Sequence, residues 1–181
     1  MSGPRRLPGD PPAAELLARM IRVDHAGEYG AMRIYAGQLA VLGRSPAAPV
    51  IRRMAEQERR HLAAFEALVV ARRVRPTALQ PLWHAAGWAL GAATALMGES
   101  AAMACTAAVE EVIDAHYRRQ IEELGDDETA LAAALAEFRD NEIEHRDTAL
   151  AHGAAEAPAE PLLSTAIKAG ARLAIWLSTR L

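Results

Sequence analysis

The sequence predicts an all-α fold. Aromatic residues make up only 4% of the 181 residues, alanine is abundant, and apolar residues recur at spacings of three and four rather than in alternation. With 51% hydrophobic residues, a chain of this length can bury one substantial core. We therefore expect a single domain over residues 13–181. Residues 1–12, which are rich in proline and glycine, are expected to form a flexible N-terminal tail.

Proline and glycine set the limits of the first two predicted helices. The first runs from Ala13 to Leu42, between a Pro-Pro start signal and a glycine. The second opens at Pro49 and ends before Pro76. Proline suits the first turn of a helix but not its interior, because it lacks a backbone N–H and fixes φ.

The second half of the chain is divided in the same way. Two helical segments meet near Gly98, and Gly125 ends the second of them. Asp126 or Asp127 is placed to cap the next helix, because a carboxylate can accept hydrogen bonds from the first backbone N–H groups. A last helix follows Pro161.

Two of these helices carry the motif Glu-x-x-His, as Glu58 with His61 and as Glu142 with His145. Three residues along a helix turn a side chain by about 300°, so each pair points from one face. A single copy is common on solvated helix faces. Here both copies interrupt apolar stripes, and a buried carboxylate is costly unless a cation or a proton compensates it.

Two further helices each place one glutamate in an apolar stripe. One glutamate from each of two helices plus Glu-x-x-His from two others is the ligand set of a dinuclear carboxylate site. Oxygen-rich ligation with one histidine per metal favours iron or manganese over zinc, and iron most. We predict two iron ions per chain, bound by Glu28, Glu58, His61, Glu110, Glu142 and His145.

Helical register distinguishes Glu110 from its neighbour Glu111, because adjacent helical residues diverge by about 100°. Glu110 lies four residues after Thr106 and seven before Tyr117, whereas Glu111 shares its side with the charged Arg118. We therefore predict that Glu110 points inward and that Glu111 is solvated.

Four residues are candidates for supporting roles near the metal ions: Asp24, Asp114, His116 and Tyr117. Each of the two acids lies one turn from a predicted glutamate ligand, so it can accept the second ring N–H of a metal-bound histidine. The alternative is a surface acid. The histidine and the tyrosine can tune or relay charge, or they can be ordinary core or boundary side chains.

These motifs resemble those of the demethoxyubiquinone hydroxylase family. The resemblance rests on MIRVDHAGEYGAMRIYAGQLAVL, the first Glu-x-x-His pair, WALGAATALMGESAAMACTAAVEE and NEIEH, and it extends from about Met20 to Leu181. It implies a ferritin-like four-helix bundle with additional membrane-facing helices, and the same six di-iron ligands. It also implies a peripheral membrane protein, on the cytoplasmic face of the cell membrane if the source is bacterial.

The resemblance further implies an activity. The family hydroxylates a demethoxy polyprenyl benzoquinone or quinol in ubiquinone biosynthesis, converting 5-demethoxyubiquinone to 3-demethylubiquinol with O₂ and an external reductant. The expected enzyme is an O₂-dependent di-iron monooxygenase. A ferritin-like ferroxidase or iron-handling protein is the main alternative, and a non-catalytic scaffold is a third.

Residues 77–98 carry no formal charge, and we predict that this segment contacts the membrane surface. The segment is long enough to span a bilayer, but its Ala and Gly content favours an interfacial position instead. Trp83 and Trp88 suit the headgroup boundary. Helix packing or a dimer interface is the alternative. The last helix adds Leu163, Ile167, Ala174, Trp176 and Leu177.

Composition also bounds the partners. A net charge of −3 gives no sign of a nucleic-acid partner. The chain has no G-x-G-x-x-G loop, and one cysteine cannot hold an iron–sulfur cluster, so electrons come from outside, through a reductase or a reduced nicotinamide such as NADH. A single cysteine and the lack of a signal peptide are typical of a cytoplasmic protein. A homo-oligomer or a biosynthetic complex stays open.

Overall fold

The computed structural model describes residues 11–126 and 128–181, which form six α-helices, one short 3-10 helix and no strand. The α-helices are α1 (Ala13–Leu42), α2 (Ala48–Ala71), α3 (Gln80–Leu96), α4 (Glu99–Leu124), α5 (Thr129–Ala151) and α6 (Glu160–Ser178), with the 3-10 helix at Ala154–Glu156. The predicted all-α class is confirmed. Most of the predicted tail, residues 1–10, lies outside the described residues.

The helix limits follow the punctuation of the sequence closely. Gly98 separates α3 from α4 with φ of 118°, a conformation that an L side chain rarely adopts. The predicted cap of α5 was wrong for Asp126, because the N-cap position is occupied by Glu128. Asp127 lies outside the described residues. Pro161 stands in the first turn of α6, as predicted.

The helices pack as two hairpins with one extra helix each. α1 packs against α2 and α3, while α4 packs against α5 and α6. The two hairpins α1–α2 and α4–α5 face each other and form a four-helix bundle. The backbones of α1 and α4 come close at few positions, so large side chains fill the space between them.

α3 lies unusually close to α1, and glycine makes this possible. A Cβ atom on Gly37 would lie 2.1 Å from the Trp88 carbonyl oxygen, and one on Gly91 would lie 2.0 Å from the Ile34 carbonyl oxygen. No larger residue fits without moving a backbone. The contact fixes α3 on the side of α1 that faces away from the bundle core.

Two hydrophobic clusters fill opposite ends of the four-helix bundle. One contains Tyr35, Ile51, Met54, Met103 and Ala149 among others. The other contains Met20, Phe65, Tyr117, Leu124, Leu131 and Leu135. Each cluster draws side chains from all four bundle helices, and each helix carries polar residues between its two apolar stretches. The buried polar layer is therefore enclosed by apolar side chains above and below.

The outer helices expose apolar surface, but three of the predicted membrane-facing residues point inward. Trp83 is partly buried, and its indole N–H donates to Ser178 Oγ at 2.9 Å. Leu163 and Ile167 pack in a core cluster with α1 and α4. For these three the prediction was wrong, and helix packing explains them. Exposed apolar side chains on or beside α3 and α6 are Leu82, Trp88, Leu96, Met97, Leu162, Leu173 and Trp176.

Among the described residues, every helix is too short or too polar to span a bilayer.

Candidate metal centre

All six predicted ligands meet in the polar layer at the middle of the bundle. They come from α1, α2, α4 and α5, in the order expected from the sequence. None is more than slightly exposed: the exposed fractions are 0% for Glu58 and Glu142, 1% for Glu28 and His145, 2% for Glu110 and 3% for His61. Four carboxylates and two imidazoles therefore share one water-poor space.

The six side chains form two overlapping groups, each with ligand atoms within 4.8 Å of one another. One group adds Glu28 and His61 to Glu58 and Glu142. The other adds Glu110 and His145 to the same two glutamates. The shared glutamates thus lie between two metal positions, and each position has one outer glutamate and one histidine of its own.

Each motif reaches across to the histidine of the other. His61 Nδ1 lies 3.1 Å from Glu142 Oε1 and 3.5 Å from Glu28 Oε2. His145 Nδ1 lies 3.0 Å from Glu58 Oε1 and 3.4 Å from Glu142 Oε2. Because α2 and α5 cross-link in this way, neither Glu-x-x-His pair forms a site by itself.

The donor atoms fit two divalent ions. Buried polar atoms in native proteins almost always have a hydrogen-bond partner, so a cluster of unpartnered ones calls for an ion. The buried atoms without a hydrogen-bond partner include both oxygens of Glu58 and Glu142, one oxygen each of Glu28 and Glu110, and Nδ1 of His61 and His145. Two divalent ions would neutralise the four carboxylates.

Two buried tyrosines explain why the outer glutamates have only one unpartnered oxygen. The Tyr35 hydroxyl of α1 donates to Glu110 Oε1 of α4 at 2.9 Å. The Tyr117 hydroxyl of α4 donates to Glu28 Oε1 of α1. Burial raises the pKa of both tyrosines well above the usual value, as do neighbouring carboxylates, so both hydroxyls keep their protons.

The two histidines are held by different neighbours. His145 Nε2 lies 2.9 Å from Gln57 Oε1, and since an amide oxygen accepts, Nε2 carries the proton and Nδ1 is left for a metal. The His61 ring stacks on Phe138 with centroids 4.3 Å apart. Sequence reasoning missed Gln57, because it sought an acid in this role.

The predicted supporting acids have other partners. Asp24 Oδ1 accepts from Gln120 Nε2 at 2.8 Å and lies 3.1 Å from His116 Nε2. Asp114 pairs with Arg139 at 2.5 Å. Neither contact is the predicted one with a ligand histidine. Tyr117 does reach the centre, through Glu28.

The register prediction for the adjacent glutamates is confirmed. Glu110 is buried in the centre, whereas Glu111 is exposed and accepts from Lys168 of α6 at 2.6 Å. The spacing of seven residues from Glu110 to Tyr117 recurs on α1, where Tyr35 follows Glu28 by seven residues. Two helical turns place each tyrosine on the same face as the glutamate of its own helix, and from there it reaches the glutamate of the facing helix.

Burial and mutual repulsion shift the titration of the cluster when no ion compensates it. Burial raises the pKa of Glu58 and Glu110 well above the usual range, and neighbouring carboxylates add to this. Burial lowers the pKa of His61, but the carboxylates of Glu142 and Glu28 outweigh it and raise the value to about 10. Without metal, the centre therefore retains protons that metal ions would displace.

A separate cleft of about 460 Å³ opens between α1, α4 and α6. Four arginines line it: Arg19 of α1, Arg119 of α4, Arg172 of α6, and Arg180 just beyond the end of α6. His116 and Trp176 also line it. Since His116 contacts Asp24, which lies one turn before Glu28, the wall of the cleft is connected to the helix that supplies an outer ligand.

Comparisons with known proteins identify relatives that match nearly the whole chain. The family described as "Ubiquinone biosynthesis protein COQ7" matches residues 15–178. A 3-demethoxyubiquinol 3-hydroxylase of Rhodospirillum rubrum is 62% identical over 176 residues, which cover 97% of this chain and 83% of that protein. The mitochondrial NADPH-dependent 3-demethoxyubiquinone 3-hydroxylase of Mus musculus is 56% identical over 166 residues, covering 90% and 76%.

A more distant relative extends the same similarity. The mitochondrial 5-demethoxyubiquinone hydroxylase of Saccharomyces cerevisiae is 42% identical over 185 aligned positions, covering 93% of this chain and 79% of that protein. A match along nearly the whole described fold, at identities of this level, shows common descent. The chain therefore belongs to the COQ7 family of ubiquinone biosynthesis proteins.

Proposed function

We propose that this protein is an O₂-dependent di-iron monooxygenase that hydroxylates a demethoxy polyprenyl benzoquinone or quinol in ubiquinone biosynthesis. The names of its relatives support the substrate class and the reaction. The proposal of a two-metal cofactor rests on the buried donor atoms that lack hydrogen-bond partners and that form two overlapping ligand groups. Iron bound at these two positions would supply the reactivity with O₂ that the protein side chains lack.

The protein residues divide the remaining work. Glu58 and Glu142 would bridge the two ions, while Glu28 with His61 and Glu110 with His145 would each complete one position. Tyrosine hydroxyls fix the outer glutamates, and Gln57 fixes the tautomer of His145. The apolar clusters at both ends of the bundle keep bulk water away from the reaction.

The reductant is proposed to be a reduced nicotinamide dinucleotide. The name of the mouse relative includes NADPH dependence. In this chain the arginine-lined cleft offers cations for phosphate groups, and Trp176 offers an aromatic surface. Hydroxylation needs two electrons from this donor: one oxygen atom of O₂ enters the ring in place of hydrogen, and the other leaves as water.

Peripheral membrane attachment is proposed through the outer faces of α3 and α6. Their exposed residues include Trp88 and Leu173, at 41% and 56% exposure. A polyprenyl substrate resides in a bilayer, so a contact surface of this kind would place the centre near it. Amphipathic surfaces of this type seat at the headgroup boundary without spanning.

Charge introduced on this surface is expected to weaken membrane binding. The double variant Trp88→Glu with Leu173→Glu should sediment with liposomes at least about tenfold less than wild type, since each lost apolar contact costs roughly 1.5–3 kcal/mol. Leu150→Glu is the matched control, because Leu150 is 49% exposed on α5. Equal sedimentation of the double variant and the control would reassign the surface to protein contacts.

The reaction is tested directly with heavy-isotope O₂. The iron-loaded protein, a short-tailed demethoxyquinone and NADPH are expected to give a hydroxylated quinone whose new oxygen carries the label. Mass spectrometry of the product checks this, and protein without iron is the control. An unaltered quinone together with rapid oxidation of Fe(II) would instead identify a ferroxidase, and the ligand set would stand.

A further inference from the structure

Tyr35 touches both outer ligands of one metal position. Its hydroxyl donates to Glu110 Oε1 at 2.9 Å. Its ring meets the His145 ring edge-on, with centroids 6.4 Å apart and planes at 82°. Only 2% of Tyr35 is exposed, so water cannot replace its hydroxyl at this point. One side chain therefore contacts two ligands that come from α4 and α5, and Gln57 holds the second of them as well.

The other metal position divides the same task between two residues. Tyr117 donates to Glu28, and Phe138 stacks on His61. Tyr117 is itself packed against Phe65, with centroids 6.4 Å apart and planes at 20°. The two halves of the centre thus match in their ligands but differ in their supports. Tyr35 and Gln57 contact the ligands of the Glu110 position, whereas Tyr117 and Phe138 contact those of the Glu28 position, so loss of Tyr35 should weaken only the first.

A narrow gap between α1 and α4 borders this position, and it has no room for a water molecule. Its lining is Ala31, Ile34, Tyr35, Thr106, Val109 and Glu110. Water therefore cannot occupy this gap beside the Glu110 carboxylate, and the Tyr35 hydroxyl is the one hydrogen-bond donor that the described residues direct at Glu110 Oε1.

We propose that Tyr35 is a positioning residue that selectively holds the metal position formed by Glu110 and His145. By donating to Glu110 Oε1 it fixes the carboxylate and leaves the unpartnered Oε2 for a metal ion. The inference rests on the two-metal part of the proposed function but not on the quinone reaction.

Cobalt(II) binding in the absence of O₂ tests the proposal, because its absorption reports each bound ion without catalysis. Wild-type protein should bind two Co(II) ions per chain. Tyr35→Phe should bind one ion as wild type does and the second about 10–100-fold more weakly, the usual effect of removing an outer partner of a ligand. Tyr29→Phe is the matched control, since Tyr29 hydrogen-bonds His84 outside the centre at 2.6 Å.

Double variants assign the affected position. Tyr35→Phe should cause no further loss in a Glu110→Gln background but a clear further loss in a Glu28→Gln background, because only contacting residues couple. Thermal unfolding of each variant checks that it is folded. Two unweakened Co(II) sites in Tyr35→Phe, or equal weakening of both, would overturn the proposal. Fewer than two Co(II) ions in wild type would overturn the dinuclear centre, and this inference with it.

Discussion

Replacing Glu142 with alanine is expected to remove both metal ions and to abolish quinone hydroxylation. Glu142 belongs to both ligand groups, and both of its oxygens lack a hydrogen-bond partner. Its loss therefore opens the two positions at once. Residues that hydrogen-bond a metal ligand typically contribute about 10–100-fold in metal affinity. A ligand shared by both metal positions should therefore contribute more than about 100-fold.

Glu144→Ala is the matched control for this change. Glu144 is an exposed glutamate on the same helix, two residues away, and should leave metal content and turnover unchanged. Elemental analysis after dialysis and a turnover assay measure both outcomes. Retention of two ions by Glu142→Ala would contradict the bridging role, as would loss of metal in Glu144→Ala.

The same variant should remain folded without metal. In the metal-free protein the Glu142 carboxylate is buried beside other carboxylates, and burial raises its pKa. Removing a buried group of this kind relieves a desolvation cost rather than breaking a stabilising contact. Thermal unfolding should therefore show metal-free Glu142→Ala to be at least as stable as metal-free wild type. This separates loss of ligation from loss of fold.

The ligand set could be predicted from the sequence because helix geometry constrains it strongly. A residue's face on a helix follows from its number alone, so an acid in an apolar stripe must be buried, and its neighbour Glu111 must be exposed. Four such acids need compensation wherever the helices pack. The burial of the four acids depends on these local facts and not on the details of helix packing.

The supports of the ligands could not be predicted in the same way. Which donor meets Glu110 or His145 depends on how far one helix is shifted along another and on rotamers, and neither follows from spacing within one helix. Gln57 illustrates this, because it precedes a ligand on α2 yet serves a histidine on α5. The arginine-lined cleft likewise joins residues from three helices that are distant in sequence.

The orientation of residues on the outer helices α3 and α6 was predicted poorly for a different reason. α3 is composed mainly of Ala, Gly and large apolar residues, so its two faces look alike in the sequence. Trp83 turns inward because its N–H finds Ser178 on α6, while Trp88 five residues later stays exposed. Only the tertiary partner distinguishes the two tryptophans.

Removing the metal ions is expected to make stability depend on pH with a definite sign. Folded, metal-free protein holds a proton on His61, whose pKa is about 10 against 6.5 unfolded, and burial shifts the pKa of Glu58 and Glu110 in the same direction. The folded state thus binds more protons than the unfolded state above neutral pH. Stability is then lost as pH rises through this window.

Two of the candidate ligands have a lowered pKa, but each affects stability in a lower pH range. Burial lowers the pKa of His145 below 6.5, so its contribution changes only below that pH. Burial tends to raise the pKa of Glu28, but His61 and Glu58 outweigh it and lower the value below 4.5. Between about pH 7 and about pH 9 the proton on His61 therefore sets the slope, at about 1.4 kcal/mol per pH unit.

Metal-loaded protein should behave differently over the same range. The ions require deprotonated ligands, so binding releases the retained protons and strengthens as pH rises. The gap in unfolding free energy between loaded and metal-free protein should widen by about 2–3 kcal/mol from about pH 7 to about pH 9. Urea unfolding of both forms at the two pH values measures it, and His61→Ala should flatten the metal-free slope. A metal-free protein that became more stable over this range would show that the carboxylates are charged without metal, and that an unseen compensation acts in the bundle.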